Sequence, residues 1–248
     1  MDFVWQYIRS QSSWDKSGLL NELEYSVKSV RKFYKGKTRC FVVGDDPLLD
    51  VIHLEAPQRV EIHVSNQPRY VDQARKQWVM VNNKDINDDF VLMYDDIFLL
   101  QPTSEKEIKT RYGRKEITSI EEYMKERLGD MGYKRIWKAT YDYVKMLRDG
   151  KGLKTYDWEA HLPRYMVKEK LKWVIKTFDL VNTPKLISGV YDGHFNKKTT
   201  LMDEMTQADL WTHNPGMDLA FEFTKKYMNI YDDAIIPELV ERMKEHMA

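Results

Sequence analysis

Two adjacent carboxylates, Asp95 and Asp96, close an apolar run of strand length, Phe90 to Met93, and an apolar segment resumes at Ile97. Acids placed where a buried strand surfaces can hold a hard divalent cation, because Mg²⁺ and Mn²⁺ prefer oxygen ligands. A cation held there would neutralise a diphosphate. The competing reading is a turn whose two acids simply meet water, and the pair alone does not choose between them. The chain has no cysteine cluster, no His-Glu-X-X-His helix, no Gly-X-Ser-X-Gly elbow and no Gly-X4-Gly-Lys-Ser/Thr loop. Zinc peptidases, serine hydrolases and P-loop enzymes are thereby disfavoured.

The elements that must position the acids are legible as patterns. Residues 3–9 are β-branched and aromatic and read as a first strand. A polar segment from Ser10 to Ser17 comes next, and Asn21 to Phe33 carries Leu23, Val27, Val30 and Phe33 at helical spacing. Arg39 to Val43 reads as a second strand running into the turn Gly44-Asp45-Asp46-Pro47. Val60 to Val64 reads as a third strand, Tyr70 to Trp78 as a helix and Phe90 to Met93 as the fourth strand. This alternation predicts an α/β fold with a mostly parallel, helix-flanked sheet. Its ligands belong beyond the carboxyl ends of the strands, so the loops 9–15, 44–47 and 94–96 should converge there.

From Thr103 the chain becomes strongly charged. Residues 103–152 read as a helical insertion over the site, with helices at 120–128 and 135–147 and an exit at Gly150 and Gly152. Lys168 to Phe178 reads as another helix, and 204–248 as a mostly helical tail closed by an amphipathic helix near Pro237. The expected organisation is one domain with four parts: 1–102, 103–152, 153–205 and 206–248.

At 248 residues the chain can bury a sizeable core. Its 39 basic residues balance 39 acidic ones, so no global field draws it to nucleic acid or an anionic membrane. The single cysteine, Cys40, excludes an intramolecular disulfide and fits a reducing compartment. The start Met-Asp-Phe-Val-Trp lacks the pattern of a signal peptide, and no run approaches the roughly eighteen apolar residues of a membrane span. A cytoplasmic protein is expected.

Several segments occur in a telling order. These are Trp14 with Asn21-Glu22-Leu23-Glu24-Tyr25-Ser26, then Phe41 to Asp45, then Phe90 to Phe98, then Ala160-His161-Leu162-Pro163 with Lys168, and finally Ser188-Gly189-Val190-Tyr191 followed by Asp203. Over roughly residues 2–205 the progression resembles glycosyltransferases of the GT-A fold, especially their small bacterial and phage-encoded branch. It is also similar to the Stealth-type sugar-phosphate transferases. The resemblance implies a nucleotide-diphosphate-sugar donor, an acceptor hydroxyl and Mn²⁺ or Mg²⁺ at an acidic motif of the Asp-X-Asp kind. Here that motif is Tyr94-Asp95-Asp96, its first acid replaced by tyrosine. Asp96 is then the leading metal ligand, Asp95 a second, and His161 resembles the family's third, a donor set suiting Mn²⁺.

The resemblance further puts the nucleotide across the first two strand ends. Tyr7, Ile8 and Arg9 would flank the base, and Asp45 or Asp46 would accept from the base edge or ribose. Gly-Asp-Asp-Pro is also good turn chemistry without any ligand. Arg75 and Lys76 could reach the donor phosphates or form a solvated helix face, and Trp14 and Asp15 should face the sugar or acceptor. Asn21 and Glu22 are read as structural support. An inverting transfer needs a base, for which Asp157, Glu159 and Asp203 are candidates, whereas a retaining one does not. The acceptor would be a glycan or, if the gene is viral and the setting a host cytoplasm, a modified DNA base; Arg135, Lys138 and Lys145 would then steer the polyanion or simply belong to an amphipathic cover over the sheet. A sugar-1-phosphate transferase and a non-catalytic binding protein on the same scaffold are the alternatives. The sequence does not fix the oligomeric state.

Overall fold

The computed structural model describes residues 1–9, 18–56, 68–126, 131–210, 218–231 and 234–248. The expected strand at 60–64 and the candidates Trp14 and Asp15 lie outside the described residues. The first half runs β1 (Asp2–Tyr7), α1 (Glu22–Phe33), β2 (Arg39–Gly44), β3 (Ile52–Glu55), α2 (Pro68–Asn82) and β4 (Asp89–Tyr94). A turn at Asp95 and Asp96 leads into the short β5 (Ile97–Leu99). The third strand described is therefore β3, a short segment with mostly exposed side chains whose sequence gives little apolar signal.

One sheet has the order β3-β2-β1-β4-β7, where β7 is Arg164–Val167. β1 runs parallel to both β2 and β4, and β7 alone is antiparallel, against β4. The α/β reading with a mostly parallel sheet between helices holds. The chain leaves β1 toward β2 and β3 on one side and returns to place β4 on the other. The sheet's switch point thus lies between the ends of β1 and β4, where open α/β sheets form their binding crevice.

Every residue of β1 is buried, because helices cover both faces. Phe3, Trp5 and Tyr7 pack with Leu23, Val27 and Val30 of α1, whereas Val4, Phe41 and Val43 pack with Ala74 and Met80 of α2. The second face is completed by α6 (Lys168–Thr177) and α7 (Ile187–Phe195).

β5 belongs to a second sheet, ordered β5-β10-β9, with β9 at Gln207–Leu210 and β10 at Tyr227–Ile230. Alternation sends Ile97 and Leu99 to the core shared with α1 and sends Phe98 to a core closed by the final helix, α9 (Pro237–Met247). The tail ends in a helix as expected, but it also supplies β9 and β10. Strands of four residues carry too little periodicity to stand out from such a sequence.

Two serines one helical turn apart lock β5 to α1. Ser26 Oγ accepts from Trp5 Nε1 at 2.8 Å and donates to the Ile97 carbonyl at 2.5 Å. Ser29 Oγ accepts from Leu99 N at 3.0 Å. The edge of β5 that lacks a strand neighbour thus finds its partners on a helix. This fixes the turn that carries Asp95 and Asp96.

The segment 103–152 holds α3 (Glu105–Ile108), β6 (Tyr112–Gly113), α4 (Ile120–Glu126) and α5 (Met131–Asp149). β6 pairs with β8 (Thr200–Leu201), and Arg114 N bonds the Asp157 carbonyl at 2.9 Å, tying the segment to β8 and to the loop that carries His161. The short α8 (Leu219–Glu222) lies between β9 and β10. Among the described residues no helix is long and apolar enough to cross a membrane.

Candidate active site

The turn after β4 and the loop before β7 bring Asp96 and His161 together. His161 Nδ1 lies 3.0 Å from Asp96 Oδ2, across 65 residues of sequence. The side chains are 37% and 17% exposed respectively, so the pair is reachable from solvent yet largely enclosed. Asp96 Oδ1 is buried and has no hydrogen-bond partner among the described residues. With a carboxylate as acceptor, the shared proton belongs on Nδ1, which leaves the Nε2 lone pair for a ligand. The His161 ring lies between Tyr94 and Tyr231, at centroid distances of 5.8 and 5.7 Å.

Charge accumulates around this pair. Burial, then the negative charges of Glu22 and Asp96, pushes the Asp95 carboxyl well above its ordinary value. Glu22 is buried in the first turn of α1, whose N-cap Asn21 accepts from Glu24 N at 3.2 Å. Burial pushes the Tyr94 hydroxyl up to about 12, and the charge of Glu159 adds to that shift. The Tyr231 hydroxyl is likewise raised by burial, then by Asp209 and Asp96.

A second group gathers at the ends of β1 and β2. Gly44 has φ +138°, and a Cβ there would lie 1.9 Å from the Tyr7 carbonyl oxygen, so only glycine lets the strands part this way. Asp45 Oδ2 accepts from Arg9 N at 2.9 Å, and Arg9 Nη2 donates to the Asp46 carbonyl at 2.5 Å. Asp46 Oδ1 accepts from Leu48 N at 2.9 Å, an Asx turn. Tyr7 is buried, and Ile8 follows it at the strand end. Lys76 is buried beneath Gly44 and paired with Asp72, while Arg75 is half-buried.

The three candidate bases fall in different settings. Asp157 is fully buried; its Oδ2 accepts from Tyr123 Oη at 2.6 Å and its Oδ1 from Glu159 N at 3.0 Å. Those bonds shape the loop that leads to His161. Glu159 Oε1 is 3.3 Å from Tyr141 Oη. Asp203 is exposed in a turn, where a hydrogen bond from Thr206 at 2.6 Å lowers its pKa.

Sequence reasoning missed the wall supplied by the second sheet. Arg114 Nη2 pairs with Asp209 Oδ2 at 2.8 Å, and Gln207, Asn229 and Tyr231 lie on the same sheet face as Asp209. A signal existed for Tyr231: the triplet Tyr231-Asp232-Asp233 repeats Tyr94-Asp95-Asp96. Nothing in the local sequence marked the others.

Fold and site together define a doubly covered α/β protein with a carboxylate–histidine pair at the switch point of its sheet. No family model matches the chain. No curated protein matches it in sequence either. Among solved structures it is similar to an active-site mutant of LgtC, with TM-score 0.47 and 10% identity, over 99% of this chain and 95% of that one. It is also similar to the galactosyltransferase LgtC in complex with donor and acceptor sugar analogs (TM-score 0.46, 7% identity, 100% and 95% covered). Mouse xyloside xylosyltransferase 1 in its apo form gives TM-score 0.43 at 8% identity, covering 95% of this chain and 100% of that one. Overlaps this loose, at such identities, carry no weight for activity, which rests on the residues of the site.

Proposed function

We propose that the protein is a GT-A-like glycosyltransferase that moves a sugar from a nucleotide-diphosphate donor to an acceptor hydroxyl. The observation that carries the reading is the meeting of Asp96 and His161 at the crevice between the ends of β1 and β4. A divalent cation fits the residues present. Asp96 Oδ1 is a buried acceptor lacking a partner among the described residues, and burial together with the charges of Glu22 and Asp96 opposes ionisation of Asp95 beside it.

Among the described residues no three His, Cys, Asp or Glu side chains already form a metal-binding group. Asp96 and His161, with Asp95 near them, would therefore hold the ion together with donor phosphates and water, as Mg²⁺ is commonly held. The imidazole favours Mn²⁺. The bound ion would supply charge neutralisation for the leaving diphosphate.

The chain's own groups do the rest. Arg9, Asp45 and Asp46 brace the crevice edge that takes the nucleotide, next to Tyr7 and Ile8. Lys76 is paired with Asp72 beneath that edge, which leaves Arg75 beside it on α2 as the cation offered to the donor phosphates. We assign Glu159 to deprotonation of the acceptor, because it shares the His161 loop and its charge acts on Tyr94. Asp157 holds that loop, and Asp203 lies in a separate turn. Lys138 and Lys145 pair within α5 with Asp142 and Asp149, at 2.6 and 2.7 Å, which favours a glycan over DNA as acceptor.

The test is a thermal-shift panel of nucleotide sugars, with and without Mn²⁺, followed by product analysis. A donor at a hundred times its dissociation constant stabilises by roughly 2.7 kcal/mol. A Mn²⁺-dependent rise with one donor, lost in Asp96→Ala, is the expected result. A Mn²⁺-independent rise would remove the metal, and no rise across the panel would overturn the transferase. A product retaining sugar and phosphate together would replace glycosyl transfer with sugar-phosphate transfer.

A further inference from the structure

Gln207 and Asn229 form a buried amide pair that none of these roles uses. They are 7% and 0% exposed, on the sheet face that carries Ile97, Leu99 and Tyr227, where apolar side chains fill the core. Gln207 Nε2 donates to the His161 carbonyl at 3.0 Å and to Asn229 Oδ1 at 2.5 Å, so both amide hydrogens have acceptors. Gln207 Oε1 is buried with no partner among the described residues. A buried acceptor left unpaired opposes folding, so a leucine or methionine would suit this core position better. What the amide provides in exchange is a grip on the backbone of His161.

The same sheet grips the other member of the pair. Ile230 N donates to the Asp96 carbonyl at 3.2 Å, and Asn229 stands opposite Ile97, the residue after Asp96. One strand, β10, therefore holds Asp96 directly and holds His161 through Asn229 and Gln207. On the near side of the loop, Arg164 Nη2 donates to the Ala160 carbonyl at 2.8 Å and to the Trp158 carbonyl, while Asp192 pairs with that guanidinium. The carbonyls of Trp158, Ala160 and His161 are thus held by side chains from β7 and β9.

We propose that Gln207, seated on Asn229, is a positioning residue that sets the His161 imidazole against Asp96. The consequence for metal binding rests on the transferase reading above, but the geometry itself does not.

The experiment is ¹⁵N NMR of the His161 ring in metal-free protein, paired with a titration of Mn²⁺ alone. The wild-type ring should show one tautomer, protonated on Nδ1. Gln207→Met should mix the tautomers and weaken Mn²⁺ about 10- to 100-fold, the usual loss when a group behind a metal ligand is removed. Gln207→Asn, whose shorter amide cannot span both acceptors, gives a second variant should Gln207→Met fail to fold. Gln77→Met serves as control, because Gln77 is also buried with an unpartnered Oε1, but on α2. It should change Tm and leave the His161 signature intact. Wild-type tautomer in both Gln207 variants would overturn the proposal, as would an equal change in Gln77→Met. If wild-type protein binds no Mn²⁺, the metal reading fails, and the tautomer still decides the role of Gln207.

Discussion

At the amino ends of the central strands Asp2 is buried, and both of its carboxylate oxygens are paired. Arg39 Nε and Nη2 donate to its two oxygens at 2.8 and 2.7 Å, and Asn87 N donates to Oδ2 at 2.7 Å. At the carboxyl ends of the same strands Asp96 keeps a buried oxygen without a partner among the described residues, and Asp95 resists ionisation through burial, then through the charges of Glu22 and Asp96. Both ends place acids against β1 and β4. Chemistry is expected where the hydrogen-bond pairing is left open, because a closed cluster such as Asp2–Arg39 gives up its interactions before it can bind anything else.

The largest test of this contrast is Asp96→Ala. Donor turnover should fall about 10²–10³-fold, the range for removing one group that stabilises transition-state charge, with little loss of Tm. Comparable turnover in the variant would erase the difference between the two ends. Asp2→Ala should do the reverse. Removing a buried acceptor of three hydrogen bonds should cost about 1–3 kcal/mol in urea unfolding while turnover per folded molecule stays at the wild-type level.

Asp95→Asn should raise Tm at neutral pH, by about 2–4 °C for each ~1 kcal/mol in a chain of this size. The pH dependence gives the sign. Far below the ordinary carboxylate value, about 3.9, the folded and unfolded chains both keep the proton, and the variant gains nothing from charge. As pH rises past that value the unfolded chain releases its proton first, because the folded pKa is raised. Stability therefore falls until the folded group ionises too. The advantage of Asp95→Asn should grow over that interval, and a constant difference in melting curves between pH 3 and 7, taken about the reference value, would refute it.

The smallest effect belongs to Lys138→Ala with Lys145→Ala. Each removes a solvent-facing ion pair within one helix, so Tm should move by no more than about 0.5 kcal/mol allows. A large loss of acceptor binding would instead restore the polyanion reading.

The segments legible in the sequence were those whose burial is decided by neighbours along the chain. Phe3 to Tyr7 and Phe90 to Met93 announced doubly covered strands because nearly every residue is apolar. Leu23, Val27 and Val30 announced α1 by spacing, and Pro237 announced the start of the closing helix. The acids at 95 and 96 were visible because they interrupt an apolar run. The resemblance linked His161 to them, but the hydrogen bond between Asp96 and His161 follows from the pairing of β4 with β7.

Other assignments needed the folded chain. Asp45, read as either a ligand group or a turn residue, accepts from Arg9 N. Asp157 looked like a base and turns out to hold Tyr123 and Glu159 N. An acid's own neighbourhood does not reveal donors such as Arg9 N for Asp45 and Tyr123 Oη for Asp157, which arrive from segments more than 30 residues away. Gln207, Asp209 and Asn229 were invisible for the same reason, since their meaning comes from the register of β9 on β10 and of β10 on β5. Local pattern is written by interactions between residues close in sequence, and those fixed the strands, the helices and the placement of the acids. Which polar groups are satisfied, and which remain open for chemistry, depends on contacts between remote segments, and the tertiary structure decided it.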